Sequence, residues 1–414
     1  MATDLFLKVG NDIGNSEHDI VINGDIIQQP NVFARIRNFP DAFLEMDFNP
    51  ILSDIHNNLA VSISSHSVET GNYYIGEYAC NSGQRLHNIE VGADNSKVDS
   101  DVIVICTLSQ IAAFSAKKAY QENKKESQIN TFVDMTTSLP VTQYNKKSVA
   151  SLTDKFMGGT HIVKVFCGNR SFDVTIKFEF VKVLPESVSI VFYLQSLTNA
   201  AIENTDELGL KAMLDNDFKD IFKEFNDLYK DTLPSPIDGS FFIDKKIQHG
   251  SIGEGTTEYP QTKGIVFDPN FIHGTNNGVG HATKDILDTF MKSKSLIKFS
   301  RQDFSKVIKD TKHKYHEDAM DLMEIPLENQ AAEIFENLKD EVRKSNNDVD
   351  IISIHGGGSI LMRGYLFEKL IEFSKKVGAY LFYVPQKYAV TLECKGMYAF
   401  VNSPIFQQLK KKHK

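Results

Sequence analysis

The sequence predicts an α/β fold with two domains. A chain of 414 residues exceeds what one hydrophobic core usually serves. Strand-like and helical segments alternate in the second half, which is typical of α/β layers. Three short glycine-bearing loops, at residues 12–16, 250–258 and 355–359, each follow a predicted strand. Glycine lets a backbone approach an anion closely and flanking hydroxyls donate to it, so together the loops predict one phosphate-binding clamp.

The first half predicts a mixed sheet with few helices. Asn23 and Gly24 separate two strand-like runs, and both residues tolerate the positive φ of a tight hairpin turn. Asp12 and Gly14 are predicted at the tip of the preceding hairpin. The β-branched and aromatic residues predict strands at 5–9, 18–22, 26–28, 60–63, 73–75, 131–135, 162–166, 172–180 and 189–193, with a helix at 101–121.

The pattern changes after Leu197, where apolar residues at helical spacing occupy 214–229. A second domain is therefore predicted to begin near residue 195. Its predicted elements are a strand at 264–267, a helix from His281, a helix at 327–342 with Pro326 in its first turn, a strand at 349–354, a helix around 366–373 and a strand at 380–384.

Composition excludes several classes of protein. The net charge of -9 argues against direct binding of nucleic acid, which depends on clustered Lys and Arg. The apolar stretch at 102–116 is interrupted by polar residues, so no membrane span is expected. We expect a cytoplasmic protein with reduced thiols, because the cysteines form no C-x-x-C pair; they are Cys80, Cys106, Cys167 and Cys394.

Common nucleotide and metal motifs are missing from the sequence. The chain has no G-x-x-x-x-G-K-[ST], and the first hairpin lacks G-x-G-x-x-G, which disfavours P-loop NTPases and Rossmann dehydrogenases. His316 and Glu317 lack the second histidine of H-E-x-x-H. His313 and His316 are interpreted as solvated histidines on the surface.

The glycine loops, in this order, resemble those of the actin-like ATPases, and among them the bacterial plasmid-segregation filament proteins of the ParM type. Asp12 and Gly14 match the first phosphate loop, Asp-x-Gly. Residues 251–258 match the second loop, Asp-x-Gly-x-Gly-Thr-Thr-Asp, and residues 356–358 match the adenosine loop. The resemblance implies an actin-like ATPase fold, with two related domains flanking a nucleotide cleft and with ATP or GTP and Mg²⁺ as cofactors.

The resemblance also implies the domain limits. Domain I would cover residues 1–194, with a smaller insertion subdomain at about 33–100, and would be completed by residues 388–414. Domain II would cover residues 195–387.

The resemblance assigns roles to individual residues. Glu186, in a Leu-Pro-Glu loop, would orient or deprotonate the attacking water, and Asp12 would hold magnesium through its waters, with Glu254 as a second metal residue. The implied nucleotide-binding residues are Gly14, Asn15, Ser16, Ser251, Gly253, Glu254, Gly255, Thr256, Thr257, Gly356, Gly357, Gly358 and Ser359.

Two positions depart from the pattern of the family. Ser251 stands where an acidic residue is usual, and Glu393 stands where Asn is common. We therefore expect weaker magnesium binding, which Ser251→Asp would strengthen.

The implied partners are further copies of the chain, in a head-to-tail filament, and a small DNA-binding adaptor on centromere-like plasmid DNA. The acidic net charge agrees with indirect DNA contact. Two alternatives stay open: a small-molecule kinase of the same superfamily, and a nucleotide-binding filament scaffold with little hydrolysis. The basic residues 410–414 are interpreted as a solvated tail.

Overall fold

The computed structural model describes residues 2–89, 97–122, 127–297 and 299–413. It confirms the α/β fold: two mixed sheets, of ten and seven strands, are packed between helices. The strands of the larger sheet are β1 Thr3–Ile13, β2 Glu17–Ile22, β3 Asp25–Pro30, β4 Val32–Ile36, β5 Ala60–Ser64, β6 Gly71–Ile75, β7 Leu86–Asn88, β8 Gln128–Leu139, β9 His161–Cys167 and β10 Arg170–Pro185.

The larger sheet runs in the order β3-β2-β1-β8-β10-β9-β5-β6-β4-β7. Strand β1 pairs antiparallel with β2 and parallel with β8, so the predicted first hairpin is present. The next turn has positive φ at Asn23 and Gly24, as predicted. Strand β5 pairs with β9, so the segment predicted as an insertion, 33–100, continues this sheet. Residues 90–96 of that segment lie outside the described residues.

The apolar stretch in the first half forms helix α4, Asp101–Glu122. By length and composition it could cross a membrane, but 89% of its most apolar window is buried inside the protein, where it packs on the larger sheet. Its apolar character is therefore that of a core helix. The helices of this half are α1 Asp41–Leu44, α2 Phe48–Ser53, α3 Gly76–Asn81, α4 Asp101–Glu122 and α5 Lys146–Met157, and short 3-10 turns lie at Lys97–Asp99 and Val141–Gln143.

The segment between the two sheets corrects two predictions. The predicted strand 189–193 is wrong, because helix α6 (Ile190–Ser196) occupies this position. Its residues Ile190, Val191 and Leu194 have helical spacing and share a buried core with both sheets. Here packing overrides the strand propensity of β-branched residues. The single predicted run at 214–229 is two helices. The helices are α6 Ile190–Ser196, α7 Asn199–Glu203, α8 Leu208–Phe218 and α9 Lys223–Leu228, followed by a 3-10 turn at Gly239–Phe242.

The smaller sheet is built around strand β11 (Lys246–Ile252). This strand pairs in parallel with β16 (Ile351–His355) and antiparallel with β12 (Thr257–Glu258) and β13 (Gln261–Lys263). The predicted strand 264–267 is the end of a hairpin, β13 and β14, that turns at Gly264. The strands are β11 Lys246–Ile252, β12 Thr257–Glu258, β13 Gln261–Lys263, β14 Val266–Phe267, β15 Gly274–Thr275, β16 Ile351–His355 and β17 Tyr380–Tyr383.

The helix predicted at 327–342 begins ten residues earlier than Pro326, which lies inside it and not in its first turn. Buried Ala319 and Met323 continue the apolar face of this helix toward its start. The helices of the second half are α10 Val279–Ser293, α11 Arg301–Lys309, α12 His316–Lys344, α13 Gly357–Val377, α14 Gln386–Ala389, α15 Leu392–Val401 and α16 Pro404–His413.

Helix α15 returns the chain to the larger sheet and packs directly on β1. The contact depends on Gly10, because a Cβ at this position would lie 2.4 Å from the carbonyl oxygen of Cys394 and 2.5 Å from the amide nitrogen of Tyr398. Both neighbours are backbone atoms of a buried helix, so neither can move aside cheaply.

Gly10→Ala is expected to lower the free energy of unfolding by about 1–3 kcal/mol, the usual cost of overpacking. Urea denaturation would measure the loss. Gly364→Ala is the matched control: Gly364 lies within α13 with open space around it, so alanine there is expected to stabilise the helix slightly. Equal stability of Gly10→Ala and the wild-type protein would contradict the close contact.

Candidate functional site

A cavity of about 620 Å³ lies where the ends of the two sheets meet. This volume is within the range of small-molecule and cofactor sites. All three predicted glycine loops contribute to its wall, with Glu186 beside them. The predicted site residues that line it are Asp12, Gly14, Asn15, Ser16, Glu186, Ser251, Gly253, Glu254, Thr256, Gly356, Gly357 and Gly358.

The first loop is the tip of the β1–β2 hairpin. Asp12 stands opposite Asp19 in the register of the two strands, and both side chains line the cavity. A hydrogen bond fixes the backbone at Gly14: the Asn31 Nδ2 group donates to its carbonyl oxygen at 2.6 Å. Gly14, Asn15 and Ser16 of this loop line the cavity.

The second loop connects β11 to β12, and the Gly253 amide donates to the Thr256 carbonyl oxygen at 2.9 Å. Gly255 faces the first loop so closely that a Cβ there would overlap the Asn15 side chain. The two phosphate-loop candidates are thus in contact. Gly255 and Thr257 do not line the cavity, because Gly255 abuts Asn15 and the buried Thr257 hydroxyl donates to the carbonyl oxygen of Asn277 at 3.1 Å.

The third loop joins β16 to the N-terminus of α13. Gly356 has a φ of 88°, and a Cβ there would lie 2.5 Å from the carbonyl oxygen of Ile252, so the position requires glycine. Gly357 and Gly358 begin α13 on the cavity wall, where the free amides of a helix N-terminus favour anions. Ser359 is buried outside the wall, and its hydroxyl donates to the Gly356 carbonyl oxygen at 2.8 Å.

Glu186 forms a buried ion pair that the sequence analysis missed. The Lys97 Nζ atom lies 2.5 Å from Glu186 Oε1, and the side chains are only 7% and 16% exposed. Burial raises the pKa of Glu186, and the Lys97 ammonium opposes that rise. The pKa of Lys97 is itself raised, because the attraction of Glu186 and Asp12 outweighs the effect of its burial. The cavity wall therefore carries the carboxylate of Glu186 with the ammonium group of Lys97 as its partner.

Asp12 and Glu393 place two carboxylates in the same cavity. Burial, and next the negative charge of Glu393, raise the pKa of Asp12 well above its usual value. The Ser251 hydroxyl donates to Glu393 Oε1 at 2.9 Å, so the two positions that depart from the family pattern are in direct contact.

Glu254 has a cationic partner already. Its Oε1 atom lies 3.1 Å from Arg301 Nε, with both side chains mostly buried. Its assignment to metal therefore stays a prediction, and this pairing speaks against it. Glu258, which the sequence analysis did not single out, also lines the cavity, and burial followed by the charge of Glu186 raises its pKa to about 8.

The interpretation of His316 as a solvated surface residue is wrong. His316 is half-buried at the start of α12, lines the cavity and has its Nδ1 atom 3.0 Å from the carbonyl oxygen of Val307. The sequence offered no signal for this position, because α11 and α12 come together only in the tertiary structure.

Helix α11 forms part of the cavity wall and contacts the larger sheet. The Arg301 guanidinium donates to the Asn15 carbonyl oxygen at 3.3 Å. Lys309 pairs with Glu17 at 2.5 Å and Lys306 with Glu77 at 2.6 Å, and these ion pairs are partly exposed. We call α11 with these contacts the α11 bridge.

Comparison with known proteins agrees with this geometry. Residues 10–188 match the family model for the N-terminal domain of actin-like proteins. The structure is similar to that of the actin-like protein Alp7A, with a TM-score of 0.68 over 99% of this chain and 98% of that chain, at 15% sequence identity. The chain has an actin-like fold.

Two further actin-like structures are similar. Bacillus thuringiensis ParM with ADP matches with a TM-score of 0.55 at 14% identity, covering 97% of this chain and 99% of that one. The archaeal actin homolog Ta0583 in complex with ADP matches with a TM-score of 0.58 at 14% identity, covering 96% and 99%. Comparison with curated protein sequences gave no match. The actin-like fold predicted from the glycine loops is thus confirmed.

Proposed function

We propose that this actin-like protein binds ATP or GTP in the cavity, hydrolyses it and polymerises into filaments that segregate plasmid DNA through a DNA-binding adaptor. The meeting of the three glycine loops and Glu186 around one cavity carries the proposal. The nucleotides named for ParM and for the archaeal homolog support it. Filament formation, the adaptor and the plasmid rest on the resemblance to ParM-type proteins.

The residues of the cavity suit phosphoryl transfer to water, in which a protein mainly positions groups and neutralises charge. The loops at residues 12–16 and 251–258 would bind the β- and γ-phosphates from opposite sides, and Gly356 to Gly358 would take the nucleoside. Glu186 would accept the proton of the attacking water, a role that needs the ionised carboxylate.

A hydrated magnesium ion fits the donor set of the cavity. Across the described ranges, no three His, Cys, Asp or Glu side chains gather closely enough to hold a metal directly. Magnesium keeps several waters and needs few protein carboxylates, and Asp12 offers hard oxygen atoms at the cavity wall. When bound, the ion supplies positive charge that offsets the charge developing on the phosphates.

Pelleting and phosphate release, measured together with ATP and with GTP, test the proposed function. We expect nucleotide-dependent sedimentation, with phosphate released on the same time scale as assembly and disassembly. Sedimentation without phosphate release would favour the scaffold alternative. Absence of sedimentation under either nucleotide would contradict polymerisation and favour the kinase alternative.

The α11 bridge is expected to slow the release of nucleotide, because it joins the two sides of the cleft. Replacing Lys306 and Lys309 by alanine removes two partly exposed ion pairs, each worth about 0.2–1 kcal/mol, so release is expected to accelerate roughly two- to thirtyfold. Stopped-flow displacement of a fluorescent nucleotide would measure the rate. Wild-type release should also accelerate with salt, whereas release from the double variant should respond less. Equal rates and equal salt dependence would show that the bridge does not control release.

A further inference from the structure

Glu393 is a buried carboxylate in the wall of the cavity. It belongs to the first turn of α15, is 8% exposed and lines the cavity with Asp12 and Ser251. Buried carboxylates are rare unless they are paired or bind a cation. The hydrogen-bond and charge partners of Glu393 therefore indicate whether it is neutralised within the protein or is available to a cation.

Two neutral donors fix the carboxylate of Glu393. The Ser251 hydroxyl donates to Oε1 at 2.9 Å, and the Ser187 amide donates to Oε2 at 3.0 Å. These bonds join α15 to the second phosphate loop and to the loop that carries Glu186. An ionised carboxylate has about four acceptor positions, so each oxygen keeps a lone pair for a further donor such as a metal-bound water.

No cation neutralises Glu393 through a direct ion pair with Lys or Arg in the described part of the chain. Its nearest basic group is His355, whose Nδ1 atom is 3.7 Å away; burial lowers the pKa of this imidazole to about 3, so it is neutral. Lys97 is hydrogen-bonded to Glu186, and its single positive charge acts on Asp12 and Glu393 as well. Two carboxylates, Asp12 and Glu393, thus face one cavity and would be stabilised by a cation placed there.

We propose that Glu393 supplies the acidic group that Ser251 lacks, and that Asp12 and Glu393 together hold the waters of the divalent cation that accompanies the nucleotide. The inference rests on the proposed nucleotide binding. Ser251 would act as the donor that orients Glu393, so the loss of an acid from the second phosphate loop would be compensated from α15. The metal site would then not be weakened by the serine, in contrast to the expectation from the sequence.

Binding of Mn²⁺, followed by electron paramagnetic resonance in the presence of a non-hydrolysable ATP or GTP analogue, tests the proposal on the full chain. Glu393→Gln keeps the shape and removes the charge, and is expected to weaken Mn²⁺ binding at least tenfold. Affinity for the analogue in EDTA should change less than threefold. The double variant Ser251→Asp/Glu393→Asn returns the acid to the loop and is expected to bind Mn²⁺ within about threefold of the wild-type protein.

Glu341→Gln is the matched control, since Glu341 is a buried carboxylate that does not line the cavity. Its Mn²⁺ affinity should equal that of the wild-type protein. Wild-type Mn²⁺ affinity in folded Glu393→Gln, or failure of the double variant to recover what Glu393→Gln loses, would overturn the proposal. If the wild-type protein bound no analogue, either with Mn²⁺ or in EDTA, the proposed function itself would fail, and this inference with it.

Discussion

Glu186→Gln is expected to reduce phosphate release roughly 10²–10⁴-fold, the usual contribution of a positioned general base. Glutamine keeps the size of the side chain but cannot accept a proton. Burial raises the pKa of Glu186, and the pairing with Lys97, at 2.5 Å, opposes this rise and favours the ionised carboxylate, which is the form that the reaction requires. Single-turnover phosphate release with saturating nucleotide would measure the effect.

Nucleotide affinity separates a catalytic role of Glu186 from a structural one. Binding of a fluorescent nucleotide should change less than about threefold in Glu186→Gln, because the three loops remain in place. Glu203→Gln, at an exposed position on α7, should leave both quantities unchanged. Normal turnover in Glu186→Gln would contradict the assignment, and a loss of binding as large as the loss of turnover would indicate collapse of the site.

Lys97→Met is expected to be the second most damaging change, and its effect should depend on pH. Burial raises the pKa of Glu186 and the Lys97 ammonium opposes this rise, so the variant should have a higher pKa at Glu186 than the wild-type protein. At neutral pH more of the carboxyl is then protonated and inactive. Phosphate release should therefore be lower than in the wild-type protein at pH 7 and partly recover as the pH increases.

The stability of Lys97→Met should change with pH in the opposite direction. A carboxyl whose pKa is raised in the folded state binds its proton more tightly there than in the unfolded chain. Stability is therefore greatest below the unfolded pKa and decreases as the pH rises through the folded pKa. Removing one partner of a buried pair costs about 3–5 kcal/mol when the other stays charged, so the loss should approach this size only at high pH.

Urea denaturation and phosphate release across the same pH series would test both trends for Lys97→Met. Lys97→Arg, which keeps the charge, should restore much of the activity, and the exposed Lys230→Met should resemble the wild-type protein. Activity that is low at every pH, with no recovery, would show that Lys97 does more than maintain the charge of Glu186.

Local sequence patterns predicted the parts of the site that local structure determines. The first hairpin, the loop after β11 and the glycine run before α13 follow from turn residues beside strand-like runs. Those patterns place the loops, and the parallel pairing of β11 with β16 then places two of them at the same edge of a sheet.

The rest of the site depends on contacts between distant segments. Lys97 lies in a short turn whose sequence carries no motif, and it becomes significant only because folding brings it to Glu186. Glu393 was noticed as a departure from the family pattern, but its bond to Ser251 joins residues that no local rule connects. The strand predicted at 189–193 failed for the same reason: the helical spacing of its apolar residues matters only against the shared core.

Helix α15 also constrains the order in which parts of the protein can fold during synthesis. Asp12 and Glu393 are far apart in the sequence, yet both line one cavity. Domains generally fold as units during synthesis, with the N-terminal parts first. Strand β1 cannot pack against α15 until residues 392–401 have been translated. A growing polypeptide on the ribosome therefore has an incomplete cavity until α15 has been synthesised and packed on β1.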